Sequence, residues 1–209
     1  MTKLDFIEIG TSDFDTLSHH ADASTTGIAI EPLPYYVDRL PKHPNIKRIA
    51  AAITPGAQPG TMPIYWVHPD DLVKHNLPDW LRGCNRIGGL HLQHMVPHIS
   101  PHVRRTEIQC MSLDALIREH QVSEITFLKL DTEGMDSDIL LDYAPCLQRT
   151  DNPAPMPDVI QFETNCLTHQ SAINQVKDVY AKLGYKALRR GDDSLLIRKL
   201  NGRSEAGAR

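Results

Sequence analysis

The stretch DFIEIGTSDFDT, residues 5–16, ends an apolar run on a single glycine and then turns polar and acidic. The run at 4–9 predicts a buried β-strand, since its isoleucine and phenylalanine residues favour extended backbone. Gly10, directly after the run, would let the backbone approach a ligand closely. Residues 13–21 predict a short helix. The stretch therefore predicts a strand–turn–helix unit at the start of the fold.

Apolar runs alternate with helical patterns along the rest of the chain. Further strands are predicted at 26–32, 46–53, 123–131 and 157–163, and helices at 112–120, 135–147 and 169–185. This alternation is typical of a parallel sheet that is covered on both faces by helices. Residues 185–200 predict a hairpin that turns at Gly191 and adds antiparallel strands at the end.

The chain has 209 residues, which is enough for one domain with a sizeable core. We expect a single domain over residues 1–200, with an insertion at about 55–105 that lies over the active-site end of the sheet. The insertion departs from the alternation, and the runs PIYWV and VRRTEIQC at its flanks could pair with each other. Residues 201–209 are small and polar and predict a flexible tail.

Charge, hydropathy and cysteine spacing indicate the partners and the compartment of the protein. The formal net charge is −4 and the pI is near 6.2, so no global basic field would recruit a nucleic acid. No apolar run approaches the roughly 18 residues that a membrane span needs, and the N-terminus lacks the pattern of a signal peptide. The four cysteines are widely spaced and predict free thiols. We therefore expect a cytoplasmic protein.

Acidic residues at the ends of the first two strands suggest an adenosine-type ligand. In a doubly wound sheet, ligands bind at the carboxyl ends of the strands, where the strand order reverses. Glu31 ends the second strand, 23 residues after Glu8, and an acid at about this spacing can accept hydrogen bonds from ribose hydroxyls. Gly10 would admit the ligand. Ala52, near the end of the third strand, leaves room for a flat ring by analogy with this fold class.

The turn after the first strand favours a cationic ligand over a dinucleotide. A dinucleotide fingerprint needs GxGxxG, so that a pyrophosphate can sit on a helix N-terminus. Here one glycine is followed by Ser12 and by the carboxylates Asp13 and Asp15, which would repel a pyrophosphate. The sulfonium and ammonium groups of S-adenosylmethionine suit these acids and Glu8. The alternative is an ordinary strand–turn–helix whose acids only cap the helix.

The stretch ITFLKLDTEGMDSDIL, residues 125–140, resembles the FkbM family of S-adenosylmethionine-dependent methyltransferases. The likeness rests on a strand that runs into KLDTEG (129–134), followed by Asp136 and a helix. The flanking GIAIEP and VIQFE segments also match in order. The resemblance implies a Rossmann-like class I methyltransferase fold, with a mostly parallel seven-stranded sheet and a C-terminal antiparallel hairpin. It also implies methyl transfer to a hydroxyl of a sugar or other small natural-product-like acceptor.

Asp131 is the main candidate for chemistry, because it ends the fourth strand. It could bind the ammonium of the methyl donor or act as the general base. His91 and His94, in the insertion, are further candidate bases that would line the acceptor pocket. Asp131, Glu163 and Asn165 lie at adjacent strand ends and offer the oxygen ligands that Mg²⁺ prefers, so a metal site there is a hypothesis.

Two functions stay open at the level of the sequence. The first is an O-methyltransferase with a small-molecule acceptor, for which we expect neither a nucleic acid nor a membrane as a partner. The second is a non-catalytic module of the same fold that binds S-adenosylmethionine or another protein. Glu133 could bond backbone amides of the turn at Gly134, or it could take part in catalysis. The sequence does not predict the oligomeric state.

Overall fold

The structure, a computed structural model, describes residues 1–14, 16–56, 59–89, 96, 98–165 and 167–199. Its strands are β1 (Thr2–Ile9), β2 (Gly27–Glu31), β3 (Ile46–Ala50), β4 (Ala52–Ile53), β5 (Gly60–Val67), β6 (Arg86–Ile87), β7 (Val103–Met111), β8 (Val122–Leu130), β9 (Val159–Glu163), β10 (Tyr185–Arg190) and β11 (Asp193–Arg198). Its α-helices are α1 (Pro34–Val37), α2 (Pro69–Lys74), α3 (Leu113–Glu119), α4 (Asp136–Tyr143) and α5 (Gln170–Lys182). Short 3-10 turns lie at Leu17–His20, Asp79–Arg82, Ser100–His102 and Ala144–Gln148.

The main sheet has seven strands in the order β10–β11–β9–β8–β1–β2–β3. The five strands from β9 to β3 run parallel, while β10 and β11 form an antiparallel hairpin that pairs with β9. The order reverses between β1 and β8, because the chain first fills one side of β1 and then the other. The predicted fold class, a mostly parallel seven-stranded sheet with a C-terminal antiparallel hairpin, is confirmed.

β1 is the middle one of the five parallel strands, and it carries apolar residues on both faces. Ile7 and Ile9 belong to the larger core, together with residues from α3, α4 and α5, and Phe6 packs into a smaller core with Ala29 and Ile46. A strand of a parallel sheet that is covered on both faces buries side chains on both. The apolar residues of the opening stretch therefore contribute to two cores of the fold.

The second sheet has the order β4–β7–β5–β6. β5 and β7 pair antiparallel from Gly60 opposite Cys110 to Val67 opposite Val103, so the pairing predicted for the flanks of the insertion is confirmed. The single strand predicted at 46–53 is wrong, because the chain divides into β3 in the main sheet and β4 in the second. Since β4 follows the carboxyl end of β3 almost directly, the second sheet adjoins that edge of the main sheet.

The helix predicted over residues 13–21 is also wrong. The structure has a 3-10 turn, Leu17–His20, and its N-cap is Thr16. The physical reason is a contact from elsewhere in the fold: the Leu17 N–H donates to the carboxylate of Glu8, on β1, at 3.0 Å. This bond ties the chain to the sheet where an α-helix would have to begin.

The remaining predicted helices are present as α3, α4 and α5. α5 buries one face through Ile173, Val176 and Tyr180, and it is followed by Gly184, whose φ of +90° suits a helix end. None of the helices in the described ranges is long and apolar enough to cross a bilayer. The tail predicted at 201–209 lies outside the described residues.

Candidate functional site

A cavity opens at the carboxyl edge of the main sheet, between β1 and β8, where the strand order reverses. We call it the inner cavity. It is lined by residues from strand tips and from the second sheet, namely Ile9, Gly10, Ser12, Glu31, Pro32, Ala51, Ala52, Ile53, Ile64, Gly83, Asn85, Ile87, Asp131, Thr132, Glu133 and Met135. Open α/β sheets bind their ligands at this place. Five of the predicted site residues therefore share one wall, which are Gly10, Ser12, Glu31, Ala52 and Asp131.

A second cavity, which we call the outer cavity, adjoins the first. The two share Gly10, Ser12, Gly83, Asp131 and Glu133. The outer cavity adds Thr11, Phe14, Trp80 and Glu163, which do not line the inner one. The two cavities therefore adjoin each other at the tips of β1 and β8.

Gly10 is required by the packing of the strand tips. Its φ is +79°, and a Cβ on it would lie 1.9 Å from the backbone oxygen of Asp131. The Gly10 N–H donates to Ile30 and the Asp131 N–H donates to Ile9, both at 2.9 Å, so the tips of β2, β1 and β8 are fixed to one another. Only glycine fits a positive φ with a backbone carbonyl so near. The apolar run of β1 breaks on glycine for this reason.

Glu31 lies in the wall of the inner cavity, where it is buried. One carboxylate oxygen accepts the Ser12 N–H at 2.9 Å and the other accepts the Leu33 N–H at 3.0 Å. Burial is the main cause that raises the pKa of Glu31 to about 7, and repulsion from Asp13 and Asp131 adds to it. Each oxygen has a lone pair left for a ligand hydroxyl, because a carboxylate offers about four acceptor sites.

Glu8, which the sequence placed among the ligand-binding residues, lines neither cavity. Its carboxylate is fully buried and accepts hydrogen bonds from the Thr16 hydroxyl at 2.6 Å and from Lys129 Nζ at 3.1 Å. Burial raises the pKa of Glu8, although the Lys129 charge opposes the shift. Together with the Leu17 N–H, these donors satisfy the hydrogen-bonding capacity of the Glu8 carboxylate, which explains how it can be buried. Glu8 thus holds the segment after β1 in place instead of facing a ligand.

Asp13, another predicted ligand residue, also lies outside the lining of both cavities. Its carboxylate pairs with the guanidinium of Arg82, from the second half of the chain's insertion. That guanidinium also lies over the Phe14 ring, 5.1 Å from the centroid, and the Arg82 carbonyl accepts the hydroxyl of Tyr36 at 2.8 Å. These contacts join the segment after β1 to the insertion above the cavities. No local sequence pattern predicts this ion pair, because its partners are 69 residues apart.

Asp131, Glu133 and Glu163 bring three carboxyl groups to the outer cavity. Burial, and then repulsion from Asp131 and Asp136, raises the pKa of Glu133 to about 7, while Arg86 opposes the shift. Burial and repulsion from Asp131 and Glu133 raise the pKa of Glu163 to about 8. A carboxyl group that gains and loses a proton near neutral pH is suited to general acid–base work.

The turn after β8 places Glu133 in an uncommon backbone conformation. Its φ is +56°, and the φ of Gly134 is +103°. Within the described ranges, no hydrogen bond from the turn reaches the Glu133 carboxyl group, so the structural role considered for it is not seen. Strained non-glycine residues are concentrated at functional sites. Glu133 therefore lines both cavities from a tight turn between β8 and α4.

The magnesium hypothesis for Asp131, Glu163 and Asn165 gains no support from the geometry. The Asn165 amide is engaged at both ends: its Nδ2 donates to Glu163, and its Oδ1 accepts the Leu167 N–H at 2.8 Å. In the described part of the chain, no group of three or more histidine, cysteine or acidic side chains has the geometry of a metal site. Asn165 instead fixes the conformation of the Glu163 carboxyl group.

Asp136 is a site residue whose role sequence reasoning missed. It is fully buried, and its carboxylate accepts the N–H and the hydroxyl of Thr132 on one oxygen and the Glu163 N–H, at 2.8 Å, on the other. It therefore connects the turn after β8 to the tip of β9 and sets the spacing of the carboxylates in the outer cavity. An available signal was its position, two residues after KLDTEG at the start of a helix.

His91, His94 and Asp15 lie outside the described residues. The predicted roles of the two histidines as bases therefore stay predictions.

The comparisons with known proteins give one result. A model of the methyltransferase FkbM domain matches residues 7–186. Neither the curated proteins nor the solved structures contain a match to the chain. The matched range runs from β1 to β10 and includes both cavities.

Proposed function

The chain belongs to the FkbM methyltransferase family, and on that premise we propose that it is an O-methyltransferase that uses S-adenosylmethionine. The proposed acceptor is a hydroxyl of a sugar or another small natural-product-like molecule. The observation that supports the proposal is the contact between the two cavities. A donor in the inner cavity and an acceptor in the outer cavity would meet at Gly10, Asp131 and Glu133.

The residues of the inner cavity fit the donor. Glu31 has acceptor sites left for ribose hydroxyls, and Ala51 and Ala52 leave space for a flat ring. Asp131 lies where the two cavities join and would bind the donor's ammonium group. Acidic groups on this wall favour a ligand with a net positive charge. When bound, S-adenosylmethionine supplies a methyl group on a positively charged sulfur, and S-adenosylhomocysteine is the leaving group.

The protein would contribute placement and proton removal to the transfer. Holding the two reactants together is the larger contribution, with effective molarities of about 10⁵ M or more in favourable cases. The acceptor oxygen forms its bond to the methyl carbon as the sulfur–carbon bond breaks, and the hydroxyl proton passes to a base. We assign the base to Glu133, whose pKa of about 7 suits this task. Asp131, His91 and His94 are the other candidates.

The proposed setting is a reducing compartment such as the cytoplasm. The three described cysteines, Cys84, Cys110 and Cys146, are free thiols, which suits a chain that folds without disulfides.

Isothermal titration with S-adenosylhomocysteine tests the donor site directly. We expect saturable binding with one site per chain and a rise in melting temperature with S-adenosylmethionine, but none with NAD. A second step measures S-adenosylhomocysteine release with a panel of hydroxylated acceptors and identifies the methylated atom by mass spectrometry. Failure to bind S-adenosylhomocysteine would refute the proposal. Binding without release, for every acceptor in the panel, would favour the non-catalytic module instead.

A further inference from the structure

The outer cavity combines acidic and aromatic side chains in a way that the donor does not require. Glu163 and Trp80 line this cavity and not the inner one. Trp80 and Phe14 are each 49% exposed, so both aromatic residues are accessible to a ligand in the outer cavity.

The outer cavity has three carboxyl groups, and the proposed methyl transfer uses two of them. Asp131 is assigned to the donor's ammonium, and Glu133 is assigned as the base. Glu163 then remains, with neither task to perform. Of the nearby arginines, Arg82 is paired with Asp13, and Arg86 opposes only part of the negative charge around Glu133.

Two acceptor atoms in this region have no hydrogen-bond donor among the described residues. They are Oε2 of Glu163 and Oγ of Ser12, both shielded from solvent. Ser12 is 9% exposed and lines both cavities. A buried acceptor without a partner costs free energy, so a ligand that donates a hydrogen bond to either atom would be stabilised there.

We propose that the outer cavity binds an acceptor that carries a protonated amine close to the methylated hydroxyl, such as an amino alcohol or an amino sugar. The ammonium would lie between the Glu163 carboxylate and the face of Trp80, since cations bind carboxylates and aromatic faces. The acceptor hydroxyl would lie at Glu133, nearer the donor. This inference rests on the proposed function, because it assumes a donor in the inner cavity.

We expect a neutral polyol to bind in the outer cavity less tightly than an amine. Its hydroxyls could donate to Glu163, but they carry no positive charge to offset the repulsion that Asp131 and Glu133 exert on Glu163. An anionic acceptor would add to that repulsion. A cationic group next to Glu163 reduces it, and Trp80 adds an attraction that is specific for cations over neutral groups.

The test uses the full chain saturated with S-adenosylhomocysteine. An aminocyclohexanol, protonated at neutral pH, is titrated into this complex, and the matching neutral cyclohexanediol is titrated in parallel. We expect the amine to bind about tenfold more tightly than the diol, as for a partly buried charge pair. Glu163→Gln should remove most of this preference and keep the bond from Asn165, because a glutamine oxygen can accept it.

Matched variants separate a specific contact from a general effect of charge. Glu107→Gln removes an exposed carboxylate of β7 outside both cavities and should keep the full preference for the amine. Trp80→Leu should lower the amine affinity about threefold or more, whereas Trp80→Phe should largely keep it, as a cation–π contact requires.

Each outcome decides between the two proposals. If S-adenosylhomocysteine binds and the amine shows no preference over the diol, or if the preference survives Glu163→Gln, this inference is overturned and the proposed function stands. If S-adenosylhomocysteine does not bind, the proposed function itself fails. When S-adenosylmethionine replaces S-adenosylhomocysteine, methylation of the amine nitrogen in place of the hydroxyl would also overturn the inference.

Discussion

A single glycine sets how closely the two central strands approach each other at their tips. At Gly10 the backbone of β1 lies against the carbonyl of Asp131, the residue that follows β8, and both belong to the inner and outer cavities. The same residue therefore serves the sheet and the site. Glycine is required at position 10 by a backbone contact within the chain, whereas the sequence alone suggested contact with a ligand.

Gly10→Ala should destabilise the protein strongly. The added Cβ would lie 1.9 Å from a backbone oxygen at a φ of +79°, so the strand tips must separate. We expect a loss of about 3 kcal/mol or more in the free energy of unfolding, measured by urea denaturation. Gly191→Ala is the control, because its φ is +63° and nothing lies within 4 Å of the added Cβ. It should cost only about 1–2 kcal/mol for the backbone conformation. Equal losses in the two variants would show that the contact with Asp131 carries no penalty.

Glu8 and Lys129 form a buried ion pair that should be costly to break from one side only. Lys129→Met would leave the Glu8 carboxylate buried without its cation, and we expect a loss of about 3–5 kcal/mol in unfolding free energy. The double variant Glu8→Gln with Lys129→Met should recover part of this loss.

Lys3→Met provides the comparison, since it breaks the exposed ion pair with Glu124 and should cost less than about 1 kcal/mol. A Lys129→Met variant as stable as Lys3→Met would refute the role assigned to the buried pair.

At the scale of elements, the start of α4 connects two strands of the main sheet. Asp136 accepts hydrogen bonds from the turn after β8 and from the tip of β9, so α4 fixes the relative positions of Asp131, Glu133 and Glu163. Its own pKa is raised by burial, although these hydrogen bonds oppose the shift. The helix thus positions the acidic wall of the outer cavity from behind.

Asp136→Ala should both destabilise the fold and disturb the site. The Thr132 and Glu163 N–H groups would lose their acceptor, at a cost of about 2–4 kcal/mol, and affinity for S-adenosylhomocysteine should fall. Asp138→Ala removes an acid from the same first turn of α4, so it controls for the helix dipole. We expect it to cost less than about 1 kcal/mol and to bind S-adenosylhomocysteine as the unmodified protein does. Calorimetric titration and urea unfolding of both variants test this.

The elements that the sequence predicted correctly are those that depend on local pattern. The runs at 123–131 and 157–163 are rich in isoleucine, leucine, phenylalanine and valine. β8 begins one residue before the first run, and β9 lies within the second. The helix at 13–21 failed because Leu17 donates to Glu8, a contact set by the packed sheet. The single strand predicted at 46–53 was wrong because three consecutive alanines, residues 50–52, show no polar–apolar alternation. The pattern therefore does not mark where the chain passes from the main sheet to the second sheet.

At the scale of the molecule, the sequence predicted five residues of the inner cavity wall but could not predict where every acidic side chain lies. Glu31 and Asp131 come together because both follow parallel strands next to the switch point, and topology alone predicts this. Glu8 lies on β1 too, but its side chain is directed by Lys129 and Thr16 from distant segments. The carboxylate pattern therefore predicts part of the candidate site, while the charge partners decide which acids line the cavities.

The group of buried acids should make the stability depend on pH. The pKa values of Glu31, Glu133 and Glu163 are raised to about 7, 7 and 8 from the ordinary 4.5. Between pH 5 and pH 8 the folded chain then binds more protons than the unfolded chain, so stability falls as the pH rises. The lowered pKa of His120 acts in the opposite direction near pH 6, but it is a single group.

Urea unfolding at pH 5.5 and at pH 8 measures this dependence, and Glu163→Gln should make it weaker. A cationic ligand favours the ionised acids, so the affinity for S-adenosylmethionine should increase over the same range. A stability that rises from pH 5.5 to pH 8 would contradict the protonation states assigned to the site.

The pairing of β1 with β8 has a consequence for how the chain reaches this structure. Glu8 and Lys129, on these adjacent strands, are separated by 121 residues in the chain. Contacts between residues so far apart in sequence slow folding, because a large loop must close before they form. During synthesis, one edge of β1 therefore stays unpaired until β8 leaves the ribosome, and an unpaired strand edge is open to non-native pairing during that time.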